Sequence, residues 1–470
     1  MSLTKERLIK ELVKELSEHN LAVFAGAGLS APAGFVNWQE LLSEIAEDLG
    51  LDVKKETDLI GLAQYYVNSK SNNRSKINEL ILERLSGGEP TENHKILARL
   101  PIHTFWTTNY DKLIEKSLEK TGKVVDIKYD TKQLSQTKYG RDVVVYKMHG
   151  DAEHPTDTVI IKDDYERYLI QRGDFFTLLR GELLNKHFLF LGFSFSDPNI
   201  DYILSRVRAS HSQNQKEHYC ILRKVQKEER EEQADFEYRQ RKQELFVKDL
   251  NRVSVQVLLV DEYNEITDLL RTVEKKLKQK IIFISGAAAD YSPYNQADVE
   301  KFVSELTKEI LKLGYRVVTG YGLGIGSAVI SGALDYLLRE KKVRVSEENL
   351  ILRPFPQDEQ GKQQWTAYRE DMIAYAGISL FIFGNKKDGK GSIVLSNGMR
   401  EEFDISKRNG NILIPVAATG WIAKELCGEL SDHSNVSLLT GKNFQKISNE
   451  SADLDQIKQS ILDILREVKK

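Results

Sequence analysis

The chain has little of what would mark a secreted scaffold, a membrane protein or a nucleic-acid binder. Its 470 residues hold two cysteines, Cys220 and Cys427, far apart in sequence. Two thiols cannot build a disulfide framework or a four-cysteine zinc ribbon, and such sparing use fits a reducing compartment. No apolar run approaches the ~18–20 residues that span a bilayer. The opening residues Met1–Arg7 lead into an amphipathic helix rather than a signal peptide, so a cytoplasmic protein is expected. Lys and Arg number 67 against 70 Asp and Glu, a net charge of −3. A basic excess is missing, and with it the electrostatic footprint of a nucleic-acid partner.

What is present is a mixture of 41% hydrophobic and 29% charged residues, the mark of a globular chain. Its length exceeds one ordinary core, so two or three domains are expected. Two glycine-rich turns dominate the pattern. Gly26-Ala27-Gly28-Leu29-Ser30 follows the apolar run Leu21–Ala25, and the Gly320–Gly326 run follows Arg316–Thr319. Each turn opens a predicted helix. Such turns offer backbone N–H groups at the positive end of a helix, where phosphate is stabilised.

Strands are predicted at Leu21–Ala25, Thr104–Thr108, Val143–Met148, Phe188–Gly192, Tyr219–Leu222 and Val253–Val260, with helical segments between them. Several are apolar on both faces, as buried parallel strands are. Lys224–Lys248 reads as a long solvated helix of mixed charge, and Glu265–Lys278 as an amphipathic helix. A second block has strands at Ile281–Ser285, Arg316–Thr319, Leu350–Leu352, Ser379–Phe383 and Ile412–Val416. Its helices are predicted at Asp298–Leu313, Gly326–Leu338, Ala367–Ala374, Ser396–Arg408, Gly420–Leu430 and Leu454–Val468. The fold class is therefore α/β, with two doubly wound parallel sheets. The boundary falls near residue 277, giving domains 1–277 and 278–470, at a lysine-rich helix end rather than a Pro/Gly linker.

In the first domain three motifs occupy strand ends, where parallel sheets bind ligands. They are the glycine turn, Thr107-Thr108-Asn109-Tyr110-Asp111 and Lys147-Met148-His149-Gly150. They are expected to converge on one crevice. Asn37 and Glu40 have the spacing of a capping box for the next helix. Asp111 either orients the asparagine loop or caps the following helix. Ser194–Asn199 does not read as a nucleophilic serine site, because no His-and-acid pair is left to serve it. Asp163, Asp164 and Glu166 read as a solvated helix start, not a metal site.

Gly26–Ser30, Thr107–Asp111, His149-Gly150 and Gly192-Phe193-Ser194 stand in the order of the sirtuin family's motifs, and residues 1–275 resemble that family. The resemblance implies NAD+ as substrate and cleavage of its nicotinamide–ribose bond. It places Asn109 and His149 as catalytic residues, with Ala25, Gly26, Ala27, Gly28, Ser30, Thr108, Asp111, Gly192 and Ser194 around the dinucleotide. The family's four-cysteine zinc module and its Pro-Asp-Phe-Arg stretch are both missing. The peptide groove is therefore in doubt and water becomes the acceptor, so neither zinc nor another cofactor is expected. Asn109 would orient the ribose hydroxyls or the water, and His149 would act as general base.

In the second domain, Ser285-Gly286 and the run through Gly322, Leu323 and Gly324 leave room for a nucleotide. Arg369 and Lys386, with Lys387, make an anion site plausible across the crevice. The helix start at Gly398, Glu401 and Glu402 offers carboxylates to ribose hydroxyls. This half resembles the SLOG family of nucleotide-recognising domains, and no general acid or base stands beside its glycines. A sirtuin-like domain followed by a SLOG domain resembles the effector family of the Thoeris anti-phage defence system. That resemblance implies an NADase activated by a cyclic ADP-ribose isomer from a TIR-domain partner, and a homotetramer. Two other classes stand beside it: an NAD-dependent protein deacylase and a non-catalytic nucleotide-binding assembly protein.

Overall fold

The computed structural model of the chain describes residues 3–35, 38–195, 197–210, 216–356, 358–431, 442–449 and 452–469. Two compact units emerge, Met1–Glu274 and Lys275–Lys470.

The first unit is built on a seven-stranded sheet whose paired strands are all parallel. Its strands are β1 (Leu21–Ala25), β2 (Thr104–Thr107), β3 (Val125–Lys128), β4 (Val143–Lys147), β5 (His187–Leu191), β6 (His218–Arg223) and β7 (Val255–Val260). They lie in the order β3-β4-β2-β1-β5-β6-β7. Central β1 is buried along its whole length, which is why it reads as unbroken apolar sequence rather than as an alternation. A helix over Lys5–Ser17 precedes it. Thr4 caps this helix by accepting from the Arg7 N–H at 3.2 Å, and Leu8, Leu12 and Leu16 form its buried stripe. Truncating Leu12 to Ala would cost about 2–5 kcal/mol, the usual range for a leucine cavity.

From β1 the chain moves first to β2 and later to β5, on β1's opposite side. The strand order therefore reverses at β1, which places a ligand crevice over the carboxyl ends of β2, β1 and β5.

The second unit carries a five-stranded parallel sheet in the order β10-β9-β8-β11-β14. Its strands are β8 (Ile281–Ala287), β9 (Arg316–Thr319), β10 (Leu350–Leu352), β11 (Ile378–Phe383) and β14 (Ile412–Pro415). The reversal falls between β8 and β11. A separate antiparallel hairpin joins β12 (Asn385–Lys387) to β13 (Ile393–Leu395).

Several expectations need correction. The charged stretch becomes helix only at Gln233 and runs to Arg252; residues 224–232 are turn and loop. The predicted helix over Gly326–Leu338 is regular to Leu334 and continues as a π turn over Asp335–Glu340. Strand β3 and the β12–β13 hairpin were not expected. Asn37, half of the expected capping box, lies outside the described residues, although a short helix does run over Trp38–Leu41.

Candidate active site

The register Thr107↔Lys147 between β2 and β4 brings Asn109 level with His149, each two residues beyond its strand. Neighbouring parallel strands lie about 4.8 Å apart, so the two loops stand side by side. Both residues line a cavity of about 1620 Å³, together with Gly28, Ser30, Gly192 and Ser194. Ala27, Thr108 and Asp111 line it as well. The structure thus gathers the predicted residues over one sheet edge. Ala25 and Gly26 serve from beneath: the Ala25 carbonyl accepts from Thr107 Oγ1 at 2.9 Å, and the Gly26 carbonyl from Asn109 Nδ2 at 3.0 Å.

The glycines have a packing role in addition to their expected openness to phosphate. A Cβ on Gly192, whose φ is +63°, would sit 2.1 Å from the Leu29 nitrogen. The turn after β1 and the turn after β5 therefore touch main chain to main chain, with Gly28 N–H donating to the Gly192 carbonyl at 2.9 Å.

Asn109 is held rigidly. Its Nδ2 also donates to Ser30 Oγ at 3.1 Å, and its own N–H donates to Thr107 Oγ1 at 2.9 Å. Ser30, expected around the dinucleotide, is buried, and its hydroxyl accepts from Asn109. The Asp111 carboxylate accepts from the Leu113 N–H at 3.0 Å, the capping role rather than an orienting bond to Asn109. Asp164 likewise accepts from the N–H groups of Ile160 and Ile161, at 3.0 and 3.1 Å, as a helix-start residue does.

His149 is buried beside the rings of Tyr165 and Tyr168, with centroids 5.5 and 6.1 Å away. Burial lowers its pKa below the ordinary histidine value and outweighs the opposing pull of Asp197, so the imidazole is neutral at pH 7. The Asp197 carboxylate lies 3.2 Å from His149 Nε2, with side-chain exposures of 9% and 3%. The contact is close, but Nε2 makes no aligned hydrogen bond among the described residues. Asp197, two residues past a left-handed Phe195 (φ +57°), was not singled out from the sequence as a partner of the histidine.

Lys147 was quoted only as part of a motif, yet it ties the site together. Fully buried, its Nζ donates to the Tyr110 and Asp111 carbonyls at 3.1 and 2.5 Å. It also contacts Glu115 at 2.9 Å and Asp151 at 2.8 Å. One cation therefore joins the asparagine loop to the histidine loop. A lysine ending a buried strand, followed four residues later by Asp, was the available signal.

In the second unit the glycine turns also interlock. A Cβ on Gly322 would fall 2.0 Å from the Gly286 carbonyl, and Ala288 N–H donates to the Leu323 carbonyl at 2.8 Å. Gly324 meets the Ala288 carbonyl in the same way. Ser285 donates to Glu402 at 2.6 Å. Buried Arg369 pairs with Glu401 at 2.6 Å, lies 3.6 Å from Glu402, and stacks over Phe355 and Trp365. Gly398 packs on its guanidinium. The arginine expected to face an anion is thus neutralised by the carboxylates expected to face ribose. Burial raises the Glu402 pKa. Lys386 is exposed on β12, and its neighbour Asn385 accepts from the N–H groups of Ala289 and Asp290, both at 2.8 Å.

No helix among the described residues is long and apolar enough to cross a membrane. Residues 103–245 match the SIR2-like domain family, and residues 265–468 match the Sir2- and TIR-associating SLOG family. The chain is 47% identical over 466 residues to the NAD(+) hydrolase ThsA of Bacillus cereus (strain MSX-D12), covering 98% of each. It is 45% identical over 474 residues to that of Acinetobacter baumannii (strain 532279), again covering 98% of each. With the NAD(+) hydrolase ThsA of Enterococcus faecium it shares 43% identity over 481 residues and 99% of each chain.

Proposed function

This chain belongs to the family of NAD(+) hydrolases named ThsA, and on that premise we propose that it cleaves the nicotinamide–ribose bond of NAD+ over the ends of β2 and β4. The observation that carries the reading is the side-by-side placement of Asn109 and His149 in one cavity, with the glycine turn after β1 bonded to Asn109 beside them. The dinucleotide's phosphates lie beside the Gly26–Gly28 turn, at the positive end of the short helix over Ala27–Ser30. Loss of nicotinamide leaves an oxocarbenium-like ribose. Asn109 has both side-chain donors committed to Gly26 and Ser30, so its Oδ1 is the atom it offers to a ribose hydroxyl or to water. Neutral His149 takes the proton from the attacking water, giving ADP-ribose.

The second unit serves in this reading as a sensor for a cyclic ADP-ribose isomer supplied by a TIR-domain partner. An activator shifts an equilibrium only by binding two states unequally. The Arg369–Glu401–Glu402–Ser285 network supplies groups that an anionic ligand would re-pair. A cytoplasmic homotetramer that depletes NAD+ during phage attack completes the proposal.

Nicotinamide release from NAD+ by the full chain tests it, with and without cyclic ADP-ribose isomers. His149→Ala is expected to bind NAD+ and fail to turn it over; normal turnover by that variant would refute the assignment. Adding an acylated peptide tests the deacylase alternative, for which no observation here speaks.

A further inference from the structure

We infer that Asp197 is a positioning residue for His149: it holds the imidazole as the tautomer with hydrogen on Nε2 and leaves Nδ1 as the base. This rests on the reading of His149 as the general base. Three observations carry it. The Asp197 carboxylate stands 3.2 Å from Nε2, and both side chains are more than nine-tenths buried. Nε2 has no aligned hydrogen bond among the described residues, and a buried N–H without an acceptor is costly, so a small rotation that brings it onto the Asp197 carboxylate is favoured. Asp197 is also fixed independently of the histidine. Its Oδ1 accepts from the Asn199 and Ile200 N–H groups at 2.8 and 3.3 Å, which leaves Oδ2 pointed at the ring.

The neutral imidazole has one donor nitrogen and one acceptor nitrogen. A carboxylate can only accept, so the nitrogen facing Asp197 must be the donor. The lone pair is then on Nδ1. When Nδ1 takes the proton from water, the ring becomes a cation with Asp197 beside it, and the proton stays on the imidazole until product leaves. No proton moves to Asp197. The groups facing the ring are Asp197 and Asp164, which favour the cation, Arg172, which opposes it, and the rings of Tyr165 and Tyr168.

Asp197→Asn is the test, because an asparagine oxygen still caps the helix while an NH2 replaces the oxygen facing Nε2. That group donates, so it forces the opposite tautomer. The expected result with the full chain and NAD+ is a kcat lower by about 10²-fold, within the range for a proton-transfer group, and a KM within about twofold of wild type. The acid limb of the rate profile should move to lower pH, since a carboxylate that raised the His149 pKa is gone. A purely structural loss would not move that limb downward. Wild-type kcat with an unmoved limb would overturn the inference. A second measurement does not depend on the variant folding: nitrogen-15 spectra of histidine-labelled wild type, with His149 assigned by difference against His149→Ala. Hydrogen on Nε2 is expected, and hydrogen on Nδ1 would overturn it. Should wild type release no nicotinamide under any condition, the hydrolase reading fails, whereas the tautomer spectrum still decides the role of Asp197.

Discussion

The side-chain amide nitrogen of Asn109 lies 3.0 Å from the carbonyl oxygen of Gly26, so the loop after β2 is bonded to the turn after β1 through the asparagine itself. An aspartate there would set a carboxylate oxygen against a carbonyl oxygen, with no donor between them. Asn109→Asp is therefore expected to be as inactive as Asn109→Ala, each lowering kcat by about 10²–10⁴-fold. Steady-state nicotinamide release checks this, and near-normal turnover by the aspartate variant would contradict it.

Lys147 balances Glu115 and Asp151 from a position with no solvent exposure. Lys147→Met removes the cation and leaves two buried carboxylates facing each other. Breaking a buried pair from one side costs about 3–5 kcal/mol. The expected outcome is a lower urea midpoint for the first unit, together with loss of hydrolysis as the asparagine and histidine loops separate. A variant with an unchanged midpoint would show that the three charges do not support one another.

Three buried histidines among the described residues of the first unit, His94, His149 and His218, weaken it in acid. Burial lowers His94 from 6.5 to about 4 and His218 from 6.5 to about 3. Thr91 Oγ1 lies 2.7 Å from His94 Nδ1, and the Thr91 N–H lies 3.3 Å from it, in a capping box. Between pH 6.5 and 4 the unfolded chain binds protons that the folded unit does not. Stability is therefore full above pH 6.5 and falls with acid, by up to about 3 kcal/mol for His94. Urea midpoints at pH 7 and pH 5 measure the loss. His94→Gln keeps a capping residue that does not titrate, and should flatten the dependence.

Arg369 is held by Glu401 at 2.6 Å and packs on Phe355 and Trp365. Replacing it with Ala removes a cation–π platform and leaves Glu401 and Glu402 without their counter-charge. Arg369→Ala is expected to abolish stimulation of NAD+ hydrolysis by a cyclic ADP-ribose isomer. Dose–response curves for wild type and variant decide it; superimposable curves would remove Arg369 from the sensor.

The legible strands were those buried on both faces, such as Leu21–Ala25 and residues 188–191 of β5, where an unbroken apolar run admits few alternatives. Strand β3, Val-Asp-Ile-Lys, was hidden because its polar residues satisfy each other inside. Asp126 pairs with Lys128 at 2.7 Å and with Arg141 at 2.8 Å, a fact no local pattern carries. Asn109 and His149 were legible because they follow strands in a parallel sheet. The role of Asp197 was not, since the fold rather than sequence spacing brings it to the histidine; for Lys147 the spacing to Asp151 was readable, but its contacts with Glu115 and the asparagine-loop carbonyls were not. The same limit applied to Arg369: its proximity to glycine turns could be read, but its ion pair with the helix over Asn397–Arg408, three strands further along the chain, could not.

Where the turns after β1 and β5 interlock at Gly28 and Gly192, the contact is peptide against peptide. Main-chain amides there have no rotamers to freeze and no charge to titrate. That junction should keep one shape and one charge at every pH, so acid sensitivity of substrate capture must originate in side chains elsewhere around the cleft.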